Sequence, residues 1–358
     1  MESSVQKIYR VLGLMSGTSL DGVDLACCKF TFDGYKWNYH VVDAITVSYS
    51  EEWRNALGNA QQLDARGLAM LNVNYGRYLG KLAKDFINLQ PHVPQLIASH
   101  GHTVFHIPQS GLTLQIGHGA ELAAITGINT VCDFRSQDVA LGGQGAPLVP
   151  IGDRLLFGDF DICINLGGFS NISFNKNDQR IAFDISPVNI VLNHLARMAG
   201  MEFDRGGAMA ASGKIHTELL SALNDLSFYK KNPPKSLGRE WVEEFFNPLL
   251  NVFDISIADK LRTVTEHIVI QLDKNTSNLP PAKMLITGGG AHNGFLIQRL
   301  EEISKHHMII PDEKTVNFKE AIIFAFLGLL RLLDQPNCLA SVTGASRDHV
   351  SGAIYYGK

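Results

Sequence analysis

β-Branched and aromatic residues form three strand-like runs within the first fifty positions. These runs cover residues 9–15, 23–30 and 36–47, and turn-forming residues separate them. The pattern predicts an antiparallel meander of three strands. A polar loop rich in glycine, serine and aspartate joins the first strand to the second.

The rest of the first half changes between helical and strand-like spacing. Apolar residues recur with helical spacing from 51 to 89. Shorter elements are predicted after it: strands at 96–99, 112–116 and 131–133, and a helix at 120–126. We therefore expect a mixed α/β class.

The second half repeats the first in outline. A strand at 162–166 enters a turn of small residues at 167–171, and strands at 172–174 and 181–183 follow. The other predicted elements are helices at 186–199, 255–272 and 293–303 and a strand at 284–287. Two copies of strand, small-residue loop and strand are typical of two-lobed actin-like and hexokinase-like ATPases with a central nucleotide cleft. We expect a first lobe of residues 1–133 and about 335–358, and a second lobe of residues 134–334.

Composition narrows the class of ligand. The 358 residues are 45% hydrophobic and 18% charged, enough for about two domains. A net charge of −4 without any Lys/Arg run argues against nucleic acid, so an anionic ligand should be small. Five cysteines without a C-x-x-C pair favour a reducing cytoplasm. We expect no secretion signal, and the apolar run 321–330 is about half as long as a bilayer requires, so we expect no membrane association.

The loop at 13–24 has the chemistry of a phosphate and metal site. Glycines let the backbone approach a ligand, hydroxyls donate to phosphate oxygens, and carboxylates hold Mg²⁺ directly or through water. These residues are Gly13, Gly17 and Gly22; Ser16, Thr18 and Ser19; and Asp21 and Asp24. No Gly-Lys-Ser/Thr follows, so the loop is not a Walker motif. An ordinary hairpin loop has a similar composition.

Several charged residues allow both a catalytic and a structural interpretation. Asp184 follows an apolar strand and precedes Pro187, where it can act as a general base or cap a helix. Arg135 can clamp a carboxylate, or it can form an ion pair with Asp133. Glu320 can bind substrate or interact with a helix dipole.

Two further clusters leave alternatives open. Gly288, Gly289 and Gly290 end a strand just before a helix that begins near Asn293, which suits either nucleotide binding or a tight turn. His100, His102 and His106 lack the spacing of a zinc site, and hydrogen bonding to a sugar or to loop backbone is the alternative.

Taken together, these segments resemble the 1,6-anhydro-N-acetylmuramic acid kinase family over nearly the whole chain. The matching motifs occur in family order: GLMSGTSLDGVD at 13–24, SHGHTV at 99–104, TLQIG at 113–117, DFR at 133–135, GGQGAPLVP at 142–150, NLGGFSN at 165–171, FD at 183–184, GGG at 288–290, KEA at 319–321 and VTGA at 342–345.

The resemblance implies an actin-like fold of two ribonuclease H-like lobes and an ATP-dependent phosphotransferase of cell-wall recycling. Water would open the 1,6-anhydro ring while ATP with Mg²⁺ phosphorylates O6, giving N-acetylmuramic acid 6-phosphate and ADP. It also implies a homodimer. Asp184 would be the base that activates water. The residues implied on the nucleotide side are the 13–24 loop, Gly167, Gly168, Asn171, Gly288 to Gly290 and Asn293, and those on the sugar side are His100, Thr103, Arg135 and Glu320.

The chain departs from the family pattern at a few positions. Ile185 and Ser186 follow Asp184 where the family has Thr-Gly, His102 replaces Gln, and His118 replaces Asp. Two alternatives stay open: an actin-like ATP-binding protein with altered or no kinase activity, and a metal-dependent hydrolase built on the three histidines.

Overall fold

The computed structural model describes residues 7–17, 20–177 and 179–358, and the chain divides into two compact units. The first unit ends at Phe157 and resumes at Phe318, and the second is Gly158–Asn317. These boundaries differ from the expected 133/134 and 334/335. Residues 134–157 belong to the first unit because buried side chains such as Asp138 and Asp153 bond within it, to Thr343 and Lys319.

The described residues contain thirteen strands, most of which the hydrophobic pattern predicted. In chain order they are β1 (Ile8–Met15), β2 (Gly22–Phe32), β3 (Trp37–Ser48), β4 (Leu96–Ser99), β5 (His102–Ile107), β6 (Leu112–Ile116), β7 (Thr130–Cys132), β8 (Ile162–Leu166), β9 (Phe169–Lys176), β10 (Gln179–Pro187), β11 (Lys283–Thr287), β12 (His307–Ile309) and β13 (Ala353–Tyr355). The predicted meander of the first three strands is confirmed.

The main sheets of the two units have the same core topology. The first has the order β13-β7-β4-β1-β2-β3 and the second β10-β9-β8-β11-β12. In the first sheet, β1 pairs antiparallel with β2 and parallel with β4. In the second sheet, β8 pairs antiparallel with β9 and parallel with β11. When the strands are numbered in chain order within each sheet, both sheets contain the order 3-2-1-4-5. This is the order of a ribonuclease H-like lobe, so the expected duplicated α/β fold is confirmed. A hairpin of β5 and β6 forms a separate sheet in the first unit.

Helices cover the sheets of each unit. The α-helices of the described residues are α1 (Glu51–Gly58), α2 (Ala65–Asn88), α3 (Gly119–Thr126), α4 (Ser136–Ala140), α5 (Pro150–Leu155), α6 (Asn189–Met198), α7 (Ala208–Ser212), α8 (Thr217–Asn224), α9 (Arg239–Trp241), α10 (Asn247–Val252), α11 (Ile257–Thr276), α12 (Gly294–Ile303), α13 (Glu313–Leu332) and α14 (Ala340–Thr343). Single 3₁₀ turns are Ala60–Gln62, Pro108–Ser110, Arg205–Gly207, Ser227–Lys230 and Gly289–His292, and Val242–Phe246 is a π-helical turn.

Side-chain caps fix several helix starts. Ser50 accepts from the Trp53 N–H at the start of α1, and Asn293 accepts from the Leu296 N–H at the start of α12. The expected start of α6 at residue 186 is wrong, because β10 continues to Pro187 and the helix begins at Asn189.

Helix α13 supplies much of the buried surface of the first unit. Its residues 321–327 are at most 2% exposed. The backbone is non-helical at Phe318, so Glu320 lies in the first turn after this kink. Among the described residues, no helix has the length and apolar character that crossing a membrane requires.

Candidate active site

The loop after β1 joins the first two strands as predicted, and its serine side chain is held inside the protein. Ser16 is 3% exposed, and its hydroxyl lies 2.7 Å from Tyr49 Oη and 3.2 Å from His102 Nδ1. Tyr49 Oη in turn lies 2.5 Å from Tyr75 Oη. Burial lowers the pKa of His102 to about 4, so this ring is neutral near pH 7. Thr18 and Ser19, predicted to bind phosphate, lie outside the described residues.

An acidic cavity of about 310 Å³ borders this loop. Its lining includes Gly17, Asp21, Asp24 and Glu320. Thr46 donates to Asp24 Oδ1 at 2.6 Å, and Glu320 has no hydrogen-bond or ion-pair partner among the described residues. The structure thus brings the two predicted metal ligands together with the predicted sugar ligand Glu320.

Two carboxylates of this cavity, Asp24 and Glu320, are half-buried, whereas Asp21 is exposed. Burial raises the pKa of Asp24, and the charge of Asp21 raises it further, while the Thr46 hydroxyl opposes the shift. Burial also raises the pKa of Glu320, with Arg135 opposing and Asp24 adding to the shift. A divalent cation would relieve this repulsion, and oxygen donors are the ligands that Mg²⁺ prefers. The residues present therefore fit a magnesium ion.

Two glycines of the loop motif have a packing reason to be glycine. A Cβ on Gly13 would lie 2.0 Å from the Ala321 carbonyl oxygen, and one on Gly22 would lie 2.4 Å from the Val47 carbonyl oxygen. Gly13 is buried within β1, where helix α13 passes close to the strand. Gly17 lines the acidic cavity.

Arg135 and His100 form a fixed pair in the first unit. Arg135 Nε and Nη2 donate to His100 Nε2 at 3.1 and 2.9 Å, and Arg135 Nη1 donates to the Gly145 carbonyl at 2.7 Å. The proton of His100 is therefore on Nδ1, which faces the Gly101 carbonyl at 2.9 Å. Burial, followed by the charge of Arg135, lowers the pKa of His100 to about 3. The guanidinium keeps one N–H on each Nη atom for a ligand.

The Asp133–Arg135 ion pair considered from the sequence is not formed. Asp133 Oδ1 instead accepts from the Ser136 N–H at 3.3 Å at the start of α4. Asp138 is fully buried and accepts from the Gly145 N–H and the Thr343 hydroxyl, each at 2.7 Å. Asp138 thus holds the glycine loop whose carbonyl orients Arg135.

A second cavity of about 180 Å³ lies beside His100 in the same unit. It is also lined by Gln115, His118 and Asp133. The lining includes buried polar atoms that have no hydrogen-bond partner, Gln115 Oε1 and His118 Nδ1. This cavity therefore offers polar groups to a ligand.

Thr103 lies on strand β5 of the β5–β6 hairpin. Its hydroxyl accepts from Gln115 Nε2 at 3.4 Å. The other two histidines bond to protein groups, His102 to Ser16 and His106 to Thr113. The three histidines do not form a metal-ligand cluster among the described residues.

In the second unit, three polar residues form one row across the sheet. Asn171 on β9 pairs with Asn165 on β8 and with Asp184 on β10. Directly opposed residues of antiparallel strands point to the same face, so these side chains lie side by side. All three are half-buried. Asn165 belongs to the recognised NLGGFSN motif but was not predicted as a site residue. Its position beside Asp184 depends on the pairing of neighbouring strands, which the sequence does not show.

Asp184 is held by a segment far away in the sequence. The Leu237 N–H donates to Asp184 Oδ2 at 2.8 Å, and the Asp184 N–H donates to the Lys235 carbonyl at 3.1 Å. Burial raises the pKa of Asp184 to about 6, and the Leu237 N–H opposes this shift. Its side chain does not cap α6, so the capping alternative is wrong. A half-buried carboxylate with a pKa near neutrality suits a general base.

The turn after β8 contains two glycines with different surroundings. A Cβ on Gly167 would lie 3.2 Å from Asn165 Nδ2. The carbonyls of Gly167 and Gly168 accept N–H groups from the start of α6, including Asn189 N–H at 3.2 Å and Val188 N–H at 2.8 Å. A Cβ on Gly168 would meet no atom within 4 Å. Gly168 is exposed, so a ligand can approach its backbone.

The turn after β11 also contains both tightly packed and open glycines. A Cβ on Gly288 would lie 2.6 Å from Asn165 Oδ1, and one on Gly290 would lie 2.7 Å from Leu166 Cβ. Gly289 is exposed, and its nearest contact would be Asn189 Nδ2 at 3.5 Å. Close packing therefore accounts for Gly288 and Gly290 but not for Gly289. Both turns border Asn165 in the second unit.

Comparisons with known proteins agree over the full length of the chain. A family model described as anhydro-N-acetylmuramic acid kinase matches residues 9–357. A relative of that name from Hydrogenovibrio crunogenus is 32% identical, with 99% of this chain and 100% of the relative covered. One from Saccharophagus degradans is 35% identical, with 96% and 98% covered.

Solved structures of other kinases are more distant. A xylulose kinase from Lactobacillus acidophilus superposes with a TM-score of 0.46 at 11% identity, covering 97% of this chain and 94% of that one. A gluconate kinase from the same organism has a TM-score of 0.45 at 10% identity, covering 98% and 94%.

Proposed function

The chain belongs to the anhydro-N-acetylmuramic acid kinase family, and we propose that it is an ATP-dependent kinase of 1,6-anhydro-N-acetylmuramic acid in peptidoglycan recycling. The product would be N-acetylmuramic acid 6-phosphate together with ADP. The observation that carries the proposal is the Asp184 carboxylate. It is half-buried, has a pKa near 6, and uses only Oδ2 for its hydrogen bond to the Leu237 N–H.

Asp184 would remove a proton from the attacking water through the free Oδ1 atom. The water oxygen forms a bond to C1 of the sugar while the C1–O6 bond breaks. The electrons of that bond pass to O6, which accepts the γ-phosphoryl group of ATP. A base with a pKa near 6 is ionised at pH 7 and still receives a proton readily. Asn165 and Asn171 lie in the same row and can orient the water by hydrogen bonds.

The nucleotide side would use backbone groups that the fold leaves uncovered. Gly168 and Gly289 are exposed glycines without a packing reason, which suits contact with phosphates or a flat base. Magnesium, when bound, neutralises charge on the transferring phosphoryl group. Asp21 and Asp24 would hold it, directly or through water, at the acidic cavity.

The sugar side would centre on Arg135. His100 accepts two of its N–H groups and the Gly145 carbonyl accepts a third, so the guanidinium has one orientation. The two remaining N–H groups match the two oxygens of a carboxylate such as that of the lactyl group. Glu320 and Thr103 are further sugar ligands in this proposal.

The residues that depart from the family pattern beside Asp184 are buried in the core of the second unit. Ile185 and Ser186 are both 0% exposed. The Ser186 hydroxyl lies 3.0 Å from Ser170 Oγ, and the Ser186 N–H donates to the same oxygen at 3.1 Å. These substitutions therefore do not remove a group that faces ligand, which favours the kinase over an ATP-binding protein without kinase activity.

The family also leads us to expect a homodimer in the cytoplasm, where ATP is available. Light scattering coupled to size-exclusion chromatography tests the dimer. A mass equal to one chain at micromolar concentration would contradict it.

The decisive experiment follows both halves of the reaction at once. The sugar is incubated with the protein and Mg-ATP in ¹⁸O-labelled water, and the product is analysed by mass spectrometry. We expect a phosphorylated sugar that carries the label at C1. Unchanged sugar under conditions where ATP is shown to bind would overturn the proposal.

A further inference from the structure

Three potential metal ligands meet in the first unit, away from the residues proposed for catalysis. Asp138, Cys338 and His349 each place one ligand atom within 4.8 Å of the others. Their exposed fractions are 0%, 1% and 6%. We propose that Asp138, Cys338 and His349 bind one zinc ion that fastens the C-terminal segment to the glycine loop at 142–145.

The backbone brings the cysteine and the histidine together. Cys338 and His349 form an isolated antiparallel bridge, in which each N–H donates to the carbonyl of the other at 3.2 Å. Residues paired in this way project their side chains to the same side. Asp138 approaches from α4, about 200 positions earlier in the chain.

The hydrogen bond of His349 Nδ1 leaves its other ring nitrogen, Nε2, facing a carboxylate. Its Nδ1 lies 3.2 Å from the Arg347 carbonyl oxygen, so Nδ1 carries the proton and donates it. Nε2 is buried without a hydrogen bond, 3.6 Å from Asp138 Oδ1. In a neutral ring, this Nε2 lone pair and the carboxylate oxygen repel one another. A cation between them removes the repulsion, and Cys338 adds a sulfur ligand to the same point.

The surrounding groups match those that usually support a metal site. A ligating histidine commonly donates its other N–H to a backbone carbonyl, as His349 does to Arg347. Ligating carboxylates are themselves hydrogen-bonded, and Asp138 accepts from the Gly145 N–H and the Thr343 hydroxyl at 2.7 Å. The ligands are thus held in place without the ion.

The ligand types favour zinc. Thiolate, imidazole and carboxylate are all common zinc ligands, whereas magnesium and calcium prefer oxygen alone. The three protein ligands leave the fourth tetrahedral position to a water molecule. Burial raises the pKa of Cys338 to about 12, with Asp138 adding to the shift. Binding therefore forms the Zn–S bond and releases the thiol proton to solvent.

The ion would act on the proposed sugar site through one hydrogen-bonded path. Asp138 holds the Gly145 N–H, and the Gly145 carbonyl accepts from Arg135 Nη1 at 2.7 Å. A metal at Asp138 thus stiffens the peptide that orients the Arg135 guanidinium. Metal binding itself does not depend on the proposed kinase function.

The test is a zinc titration of the full chain. The purified protein is treated with a chelator, dialysed, and titrated with Zn²⁺ in excess Mg²⁺, which should saturate the proposed magnesium site at Asp21 and Asp24. We expect one zinc per chain by elemental analysis and a higher melting temperature with zinc than without it. A wild-type chain that takes up no stoichiometric zinc would overturn the proposal.

Variants separate this cluster from other buried residues. Cys338→Ser and His349→Gln should each weaken zinc binding by at least about 100-fold, more than the loss of an outer hydrogen bond. Cys163→Ser and His306→Gln are the controls. Cys163 is 2% exposed, and His306 is 7% exposed with an unpartnered Nδ1, yet neither belongs to the cluster. Wild-type zinc affinity in both cluster variants would contradict the assignment.

Cobalt provides a readout that does not depend on how stable the variants are. The chelated wild-type protein loaded with Co²⁺ should show thiolate-to-cobalt charge-transfer absorption. This absorption should persist in Cys163→Ser. Its persistence in folded Cys338→Ser would show that the thiolate ligand is another residue, and the proposal would fail.

Discussion

The Leu237 N–H donates a 2.8 Å hydrogen bond to Asp184 Oδ2. This contact joins the edge of the second sheet to a segment 53 positions later in the chain. It occupies one carboxylate oxygen and leaves Oδ1 for a water molecule. The bond also opposes the effect of burial, which raises the pKa of Asp184 to about 6.

Asp184→Asn should abolish most of the activity without unfolding the protein. An amide cannot take the proton of the attacking water, and loss of a general base typically costs roughly 100- to 10,000-fold. The amide oxygen can still accept from the Leu237 N–H, so the fold should persist. Steady-state kinetics measure kcat, and calorimetry measures ATP binding. A variant with wild-type kcat would exclude Asp184 as the base.

The rate should depend on the ionisation of Asp184. The base is active when ionised, so kcat/KM should be constant above its pKa of about 6 and fall tenfold per pH unit below it. The pH–rate profile of the wild type measures this limb. The residual rate of Asp184→Asn should lack it, and an identical acidic limb in that variant would assign the titration to another group.

The same pKa shift affects stability in the opposite direction. A carboxyl whose folded pKa is raised favours the folded state below its unfolded pKa, near 4, and loses this effect as pH rises through about 6. Asp184→Asn should therefore melt higher than wild type at pH 8, and the difference should shrink toward pH 4. Thermal unfolding at both pH values tests this, and a variant less stable at pH 8 would contradict it.

Gly168→Ala and Gly289→Ala should affect ligand binding rather than folding. The added Cβ meets no atom within 4 Å at Gly168, and only Asn189 Nδ2 at 3.5 Å at Gly289. We expect wild-type melting temperatures and a KM for ATP raised by about tenfold, a loss of about 1.4 kcal/mol in binding. Gly13→Ala is the contrasting variant, because its Cβ would lie 2.0 Å from the Ala321 carbonyl oxygen and should destabilise the fold. Unchanged KM in both surface variants would remove these glycines from the nucleotide site.

Arg135→Lys should weaken sugar binding selectively. Lysine keeps the charge but cannot donate to His100 and a ligand carboxylate from one rigid plane. Losing charged hydrogen bonds worth about 1.5–3 kcal/mol predicts a KM raised about 10- to 100-fold for the lactyl-bearing sugar. An anhydro sugar without the lactyl group should show a smaller change. Arg77→Lys is the control, because Arg77 pairs with Glu121 at the surface. Equal losses for both sugars would contradict a carboxylate contact.

Lys319→Met should destabilise the first unit. Lys319 Nζ lies 2.7 Å from Asp153 Oδ1, and the two side chains are only 4% and 5% exposed. Removing one partner of a buried ion pair costs about 3–5 kcal/mol. Denaturant unfolding measures this loss. Arg239→Ala, which breaks an exposed pair with Glu243, should cost less than about 1 kcal/mol, and similar losses in both variants would refute the distinction.

The local pattern of the chain was sufficient for much of the fold. Residues 9–15, 23–30 and 36–47 are rich in the β-branched and aromatic residues that favour strands, and they form β1, β2 and β3. The glycine loop therefore lies between two strands, as predicted. Local pattern failed where tertiary pairing overrode it. Residues 102–107 became β5 through pairing with β6, and pairing of Pro187 with Phe169 moved the start of α6.

Residue types alone identified Asp184, Arg135 and the glycine turns as candidates, because each side chain or its absence has a characteristic chemistry. Their partners were decided by the tertiary structure. Arg135 meets His100 across 35 positions, Asp184 meets Leu237 across 53, and Asp138 meets Thr343 across 205. Spacing along a chain encodes the period of a helix or strand, whereas contacts between distant residues depend on the order and register of strands. Whether a carboxylate acts as a base, a cap or an ion-pair partner follows from those contacts.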